Sequence, residues 1–447
     1  MALFGTSGIR GKYGDAVNEK LALDVGKAMG TLLDGPIAVG MDSRTSGPSL
    51  KGALISGIIS QGNDVYDVGL APTPTVGVAI REYGCCAGVV ITASHNPPEY
   101  NGIKVWDERG VAYQSLEGQI ESTISSGSYS NSSWRSLGSL VVRSPIYDHI
   151  EKIMDSYNLE KSYSVAVDCG CGAGSVITPY LLEKMGMKVY SLNCQPSGFF
   201  PRGLEPNYEN LKCLSKAVRS FDCQLGVAND GDADRIGAVD EKGSFIDYDH
   251  LLSMVSAFEC VRSKKNNPKI VTTVDASMCI DHCVEELGGE VLRTEVGDVA
   301  LAQSLVTNRA IFGGEPSGTW IFPQHWLTPD GVLAAVKLLE MKENGFEFCQ
   351  ERKKMPDYIT LREKIYIDDI DRTSFYGALK EALSSQRYES LLTIDGIRIE
   401  YEDSWVLFRF SGTEPLFRIT VEASDKGRAN ELMEMSRKKV GELLRKQ

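Results

Sequence analysis

Short apolar runs closed by a small or acidic residue recur along the chain and alternate with longer stretches of helical periodicity. Residues 37–42 (IAVGMD), 165–168 (VAVD) and 270–275 (IVTTVD) each read as a buried strand ending in a small-residue loop. After each comes a helix-like stretch, a Gly and a second β-like run: 54–62 into 64–68, 176–186 into 188–192, and 278–289 into 290–296. Alternation of this kind predicts βαβ units and a mostly parallel sheet. Domain-sized intervals separate Asp42, Asp168 and Asp275, so the expectation is three α/β domains of shared topology in tandem. Each repeat then supplies one further strand with an unusual loop: 87–91 leads into TASHNP (92–97), 225–228 into DGDADR (230–235), and 310–313 into GEPSG (314–318).

The pattern changes after Pro356. An alternating run at 358–366, a helical stretch at 374–385, strands at 405–410 and 417–422, and an amphipathic helix from 425 to about 445, capped by Ser424 or Asp425, predict a smaller α+β domain. It carries RFSGTEP at 409–415. The Ser-rich segment 122–139 is the most linker-like stretch of the first half, and the charged run 342–354 closes the third repeat. The expected domains are 1–145, 146–247, 248–355 and 356–447.

Composition narrows the function. With 42% hydrophobic and 24% charged residues over 447 positions, the chain has the make-up of a globular protein with several cores. Its net charge of −13, without a long Lys/Arg block, argues against a nucleic-acid partner. An anionic substrate must therefore be drawn in by a few local cations. Residues 1–15 hold no apolar signal core and no run reaches spanning length, so the expectation is a cytoplasmic protein without a membrane partner. The 11 Cys are scattered and read as free thiols.

The loops carry the chemistry. Ser94, at the carboxyl end of a strand where open α/β sheets hold ligands, is a hydroxyl nucleophile candidate with His95 beside it and Lys104 farther on. In DGDADR, the alternating Asp230, Asp232 and Asp234 suit a hard cation such as Mg²⁺. An EF-hand reading fails on Arg235, where the sharp turn needs Gly, and on flanks that read as strands. In RFSGTEP, Arg409, Ser411, Thr413 and the N–H groups around Gly412 are phosphate-holding donors, and Arg418 adds a second cation. Glu315 and Ser317 of GEPSG suit vicinal sugar hydroxyls. FGTSGIRG (4–11) resembles another Gly-rich phosphate loop, with Thr6, Ser7 and Arg10 as donors. Together the inventory fits phosphoryl transfer on a phosphorylated sugar.

With TASHNP, DGDADR, GEPSG, RFSGTEP and FGTSGIRG in this order, the chain resembles the α-D-phosphohexomutase family over its whole length. The resemblance implies three α/β domains and a C-terminal domain of the TATA-binding-protein-like class around a central cleft. It implies that Ser94 is a phosphoserine whose phosphate, with Asp230, Asp232 and Asp234, holds Mg²⁺, and that a hexose 1,6-bisphosphate activates the enzyme. It further implies Lys104 as general acid/base, a role that needs its pKa brought down from about 10, with His95 and Arg10 assisting. Arg235 then touches the phosphoserine, Glu315 and Ser317 bind sugar hydroxyls, and Arg409, Ser411, Gly412, Thr413 and Arg418 hold the non-reacting phosphate. Gly297 and Asp298 in TEVGD match a further loop lining the cleft. Many relatives carry a His directly after GExSG, where this chain has Thr319; His325 lies six residues on.

The expected function is interconversion of hexose 6-phosphate and hexose 1-phosphate by a monomer or homodimer. Glucosamine phosphate is the leading substrate, with mannose and glucose phosphates as the alternative. A sugar-phosphate phosphatase and a non-catalytic sugar-phosphate binding protein are the readings from other classes.

Overall fold

The computed structural model describes residues 3–5, 8–367, 370–384, 387–411 and 416–445. The chain divides into two units: residues 1–251 with 317–352, and residues 252–316 with 353–447.

The first unit contains two mixed sheets. Strands β1 (Ile9–Lys12), β2 (Ile37–Met41), β3 (Val65–Leu70), β4 (Ala87–Ile91), β5 (Tyr100–Asp107) and β6 (Leu140–Val142) lie in the order β1-β5-β4-β2-β3-β6. β2 is parallel to β3 and β4, while β5 is antiparallel to β4 and β1. The central strands are apolar at every position because both faces are covered. Val39, Val89 and Ile91 join a core with Ala22, Val25, Leu50 and Leu54 of helices Glu19–Leu32 and Gly47–Ser60. Ala38 and Val90 face the other way, onto Val76, Ala79 and Ile80 of helix Thr73–Glu82.

Strands β7 (Ser164–Asp168), β8 (Lys188–Leu192), β9 (Leu225–Asn229), β10 (Ile236–Val239) and β11 (Phe245–Ile246) form the second sheet, in the order β11-β10-β9-β7-β8. Here β7 is parallel to β8 and β9, and β9 turns into an antiparallel pair with β10.

In the second unit, β12 (Lys269–Thr273) runs parallel to β13 (Glu290–Thr294) on one side and β14 (Phe312–Gly314) on the other. β2, β7 and β12 thus occupy one equivalent central position, and β4, β9 and β14 the neighbouring one. The internal repeat predicted from the apolar runs is present, and the strand that delivers each unusual loop lies beside the central strand in all three.

The first unit also holds the short strand β15 (Trp320–Ile321). The second unit ends in an antiparallel sheet of β16 (Ile359–Tyr366), β17 (Ser390–Leu392), β18 (Ile397–Tyr401), β19 (Ser404–Phe410) and β20 (Leu416–Ala423), ordered β16-β20-β19-β18-β17. The alternation of β19 and β20 splits their side chains between two faces. Val406, Phe408, Phe417 and Ile419 pack with Phe375, Leu379, Leu432 and Val440 of helices Arg372–Leu383 and Lys426–Leu444. On the other face Trp405 and Leu407 meet Val274. Arg398, fully buried, lies 4.0 Å over the Trp405 ring and donates to the carbonyls of Val274 (2.6 Å) and Ala276 (3.0 Å).

Three local expectations change. The Ser-rich segment 122–139 is helical at its start, because Leu116 and Ile120 are buried and carry helix Gln114–Ser126 into it; β6 follows as a sixth strand. The charged run 342–354 lies largely in helices Gly331–Glu343 and Phe348–Lys354, with Lys342 paired to Glu347 at 2.9 Å. Asp425, not Ser424, caps the last helix, accepting from the N–H groups of Gly427 and Arg428. All eleven Cys are free thiols. Among the described residues, no helix is long and apolar enough to cross a membrane.

Candidate active site

The loop after β4 folds around one guanidinium. Arg44, 1% exposed, uses Nη1 to reach the carbonyls of Pro97 (2.6 Å) and Tyr100 (2.8 Å), and Nη2 to reach those of Ser94 (2.9 Å) and Asn96 (2.7 Å). Its Nε donates to Asp42 Oδ2 at 3.0 Å, so all five N–H donors are used. Asp42 also accepts from Thr92 Oγ1 (2.6 Å), and Thr92 Oγ1 in turn accepts from the Ser94 N–H (2.9 Å). Ser94 is held at φ 48°, a left-handed conformation that is uncommon outside Gly and persists only where the surroundings over-determine it. Its Oγ donates to Asp230 Oδ2 at 2.6 Å and lies 3.3 Å from His95 Nδ1.

The DGDADR loop joins β9 to β10, with strands on both sides as the sequence implied, and Ala233 makes the turn at φ 56°. Gly231 is required by close approach: a Cβ there would sit 2.3 Å from the Ser94 carbonyl oxygen. The loop is braced by Thr73, whose N–H donates to the Asp232 carbonyl (2.9 Å) and whose hydroxyl donates to Asp232 Oδ2 (2.6 Å). A second brace comes from Gly331, whose N–H donates to the Ala233 carbonyl at 3.1 Å. The preceding residue, Asp330, caps helix Gly331–Glu343 and is itself fixed by His149 Nε2 (2.9 Å) and Trp326 Nε1 (2.9 Å).

Asp230, Asp232 and Asp234 are buried and offer carboxylate oxygens within 4.8 Å of one another. Lys104, on β5, bridges two of them, at 2.8 Å from Asp232 Oδ2 and 2.9 Å from Asp234 Oδ2. Asp232 Oδ1 and Asp234 Oδ1 are buried without a hydrogen-bond partner among the described residues. A set of hard oxygen donors with two unsatisfied members is what a divalent cation requires, so these residues fit a metal.

The local electrostatics separate the acids. Burial, reinforced by Asp234 and Asp232, holds Asp230 well above the usual carboxylate range. Burial also opposes ionisation of Asp232, but the Lys104 ammonium and hydrogen bonds from Lys104 and Thr73 prevail and hold it below that range. Burial disfavours the charge on Lys104, yet Asp232 and Asp234 override it and raise its pKa. This is the reverse of the lowered pKa that a general base at this position needs: facing these carboxylates, Lys104 holds its proton more tightly than an ordinary lysine. Burial, aided by Arg235 and Arg10, pushes His95 down to about 3, so the ring is neutral and offers Ser94 no positive charge.

The other predicted residues are placed as follows. Arg10, on β1 opposite Gly102 of β5, donates to Asn96 Oδ1 at 3.2 Å. The Arg235 N–H lies 3.3 Å from Asp230 Oδ1 and its guanidinium 3.8 Å from Glu205. Ser317 Oγ lies 3.1 Å from Thr319 Oγ1, whereas His325 bonds the Tyr157 hydroxyl (3.0 Å) and stacks on that ring. In the second unit, Glu315 Oε1 accepts from the Gly297 N–H at 2.7 Å, and Asp298 opens helix Asp298–Asn308. Arg409 and Arg418 stand directly opposite each other on β19 and β20, with Arg418 Nη2 3.4 Å from Ser411 Oγ. Thr6, Ser7, Gly412 and Thr413 lie outside the described residues.

Four family models, described as phosphoglucomutase/phosphomannomutase alpha/beta/alpha domains I, II and III and C-terminal domain, match residues 1–130, 147–243, 247–359 and 367–439. The chain is 50% identical over 446 residues to a probable phosphoglucosamine mutase of Thermococcus gammatolerans, spanning 99% of both chains. The chain belongs to the phosphoglucomutase/phosphomannomutase family. A similar protein of Methanothermobacter thermautotrophicus, also called a probable phosphoglucosamine mutase, is 43% identical over 442 residues, 97% of each. The crystal structure of a family protein from Burkholderia thailandensis matches with a TM-score of 0.89 at 26% identity, covering 99% of this chain and 97% of that one. The chain is accordingly a phosphohexomutase, an isomerase.

The residues that brace the phosphohexomutase site, Asp42, Arg44, Thr73, Thr92 and Asp330, were not singled out as site residues from the sequence. Asp42 was visible only as the end of an apolar run, and Arg44 carried no motif of its own. Two outcomes follow. Replacing Arg44 with Ala leaves Asp42 and four loop carbonyls without their partner, a cost of about 3–5 kcal/mol for a broken buried pair; urea unfolding with intact two-state behaviour of the first unit reads it. Adding a divalent cation to metal-stripped protein raises Tm, by the equivalent of about 2.7 kcal/mol at a hundredfold excess over Kd. Asp232→Asn weakens that titration.

Proposed function

We propose that the protein interconverts glucosamine 6-phosphate and glucosamine 1-phosphate through phosphoSer94, activated by a hexose 1,6-bisphosphate and Mg²⁺. The observation that carries the chemistry is Ser94 Oγ aimed at Asp230, 2.6 Å away, inside a buried triad of carboxylates. The sugar assignment rests on the relatives named probable phosphoglucosamine mutase, at 50% and 43% identity over nearly the whole chain; mannose and glucose phosphates are the alternative.

In the first half-reaction the P–Oγ bond of phosphoSer94 breaks as a P–O bond forms to the free hydroxyl of the sugar monophosphate. The hydroxyl gives up its proton and Ser94 Oγ regains one. The bisphosphate then turns round, and the second half-reaction returns its other phosphoryl group to Ser94. Asp230, Asp232 and Asp234 would hold Mg²⁺, which would offset the negative charge of the phosphoserine and the carboxylates and stabilise the charge developing on the phosphoryl oxygens. Arg44 keeps the serine loop from relaxing away from the metal loop. Lys104, protonated between Asp232 and Asp234, serves as general acid/base, exchanging its proton only as the pull of those carboxylates on it is shared. Neutral His95 stands with Nδ1 3.3 Å from Ser94 Oγ, and Arg10 and Arg235 bring positive charge to the phosphoserine. Glu315 and Ser317, with Gly297 and Asp298, recognise the sugar. Arg409, Ser411, Gly412, Thr413 and Arg418 hold the phosphate that is not reacting.

We also infer domains at 1–145, 146–247, 248–355 and 356–447, in keeping with the family matches, and a cytoplasmic monomer or homodimer without nucleic-acid or membrane partner, in keeping with the net charge of −13.

Phosphorus NMR of the Mg²⁺-loaded protein, primed with hexose 1,6-bisphosphate and given glucosamine, glucose, mannose and N-acetylglucosamine 6-phosphates separately, tests the assignment. Glucosamine 1-phosphate should form fastest, and Ser94→Ala should abolish conversion while leaving Tm nearly unchanged. Faster conversion of mannose or glucose phosphate moves the assignment to that sugar, and inorganic phosphate accumulating in place of a 1-phosphate means a phosphatase.

A further inference from the structure

Asp395 was absent from every sequence motif, yet in the second unit it joins the two loops assigned to substrate. Its Oδ2 accepts from Arg409 Nε at 2.7 Å and from the Val296 N–H at 3.2 Å. The next N–H along, that of Gly297, donates to Glu315 Oε1 at 2.7 Å. A path of hydrogen bonds therefore runs from the sugar-loop carboxylate, through two consecutive amides of the TEVGD loop, to the phosphate-loop guanidinium.

The turn that carries Asp395 packs closely against β19. Gly396 adopts φ 90° and a Cβ there would stand 2.2 Å from the Phe408 carbonyl oxygen, so the turn is pressed against β19 at the residue preceding Arg409. Gly, with no Cβ, adopts this conformation and allows the close approach.

Charge gives the arrangement its direction. Arg409 and Arg418 are cross-strand partners, and Arg418 is also paired with Lys364 of β16, so three cations stand in one row across β16, β20 and β19. Like charges directly opposite one another destabilise a sheet, and a row of them is a receptor for an anion. Asp395, at the Arg409 end, binds through Nε alone. The Nη1–Nη2 edge, which grips paired phosphate oxygens, lies outside this ion pair.

We propose that Asp395 is a positioning residue that couples phosphate recognition by Arg409 to sugar recognition through the Val296–Gly297 amides and Glu315, so that a hexose phosphate meets one pre-set receptor. The proposal rests on the phosphate-loop and sugar-loop roles given above. Its consequence is retention: with the phosphate grip loosened, the bisphosphate formed between half-reactions leaves before it turns round.

The test compares the full-length protein with Asp395→Asn, Glu315→Gln and the double variant. Asp395→Asn keeps the size of the side chain and removes the charge that orients Arg409. It should raise KM about tenfold, the loss of one charge-assisted hydrogen bond, with a smaller change in kcat and Tm close to that of the parent. Free bisphosphate should accumulate in the phosphorus spectrum, and the KM effect of the double variant should fall short of the product of the two single effects. Unchanged KM and bisphosphate retention, or a fall in Tm with fully multiplicative kinetics, overturns the proposal. Calorimetric binding of glucose 6-phosphate to the parent and to Asp395→Asn separates this question from turnover. If the parent converts no hexose phosphate, the functional reading fails, while weaker binding by Asp395→Asn still supports the coupling and equal binding refutes it.

Discussion

The site depends on a guanidinium buried among carbonyls. A loop that must present a serine at the end of a strand, in a left-handed conformation and with no regular structure of its own, has peptide oxygens that need partners. Arg44 provides four of them and Asp42 anchors Arg44. The arrangement is economical because the Asp-x-Arg segment sits at the end of β2, directly beside β4, so the central strand of the repeat organises the loop of its neighbour. A buried ion pair is no general source of stability. Here its work is geometric: it holds the backbone from which Ser94 Oγ is presented to Asp230.

The second constraint is a surplus of negative charge. Three buried carboxylates share one close ammonium, and two of their oxygens have no hydrogen-bond partner among the described residues. Thr73, Gly331 and the His149–Asp330–Trp326 cluster hold this unfavourable group together through bonds to the backbone and side chain of the metal loop. The fold thus maintains a cluster that electrostatics alone would open, the usual signature of a site whose charge is completed by a ligand.

Much of this was legible in the sequence, for identifiable reasons. Apolar runs ending in Asp located the central strands, because a strand covered on both faces must be apolar throughout. The DGDADR triad announced itself because its three carboxylates lie close together in sequence. What stayed hidden depends on long-range pairing. Arg44 meets residues about fifty positions away, Asp395 meets Val296 across a hundred, and Asp330 reaches the metal loop through a helix cap. The charge state of Lys104 was hidden for the same reason, since the sequence names the lysine but not the two carboxylates facing it.

In this geometry Ser94 is proposed as the one residue that carries the phosphoryl group. Intact-mass analysis with peptide mapping, after incubation with glucose 1,6-bisphosphate and Mg²⁺, measures it directly. The expected result is the gain of a single phosphoryl group, located on Ser94 and removed again by excess hexose monophosphate. A phosphoryl group on another residue, or none on a protein that still turns over, would contradict it.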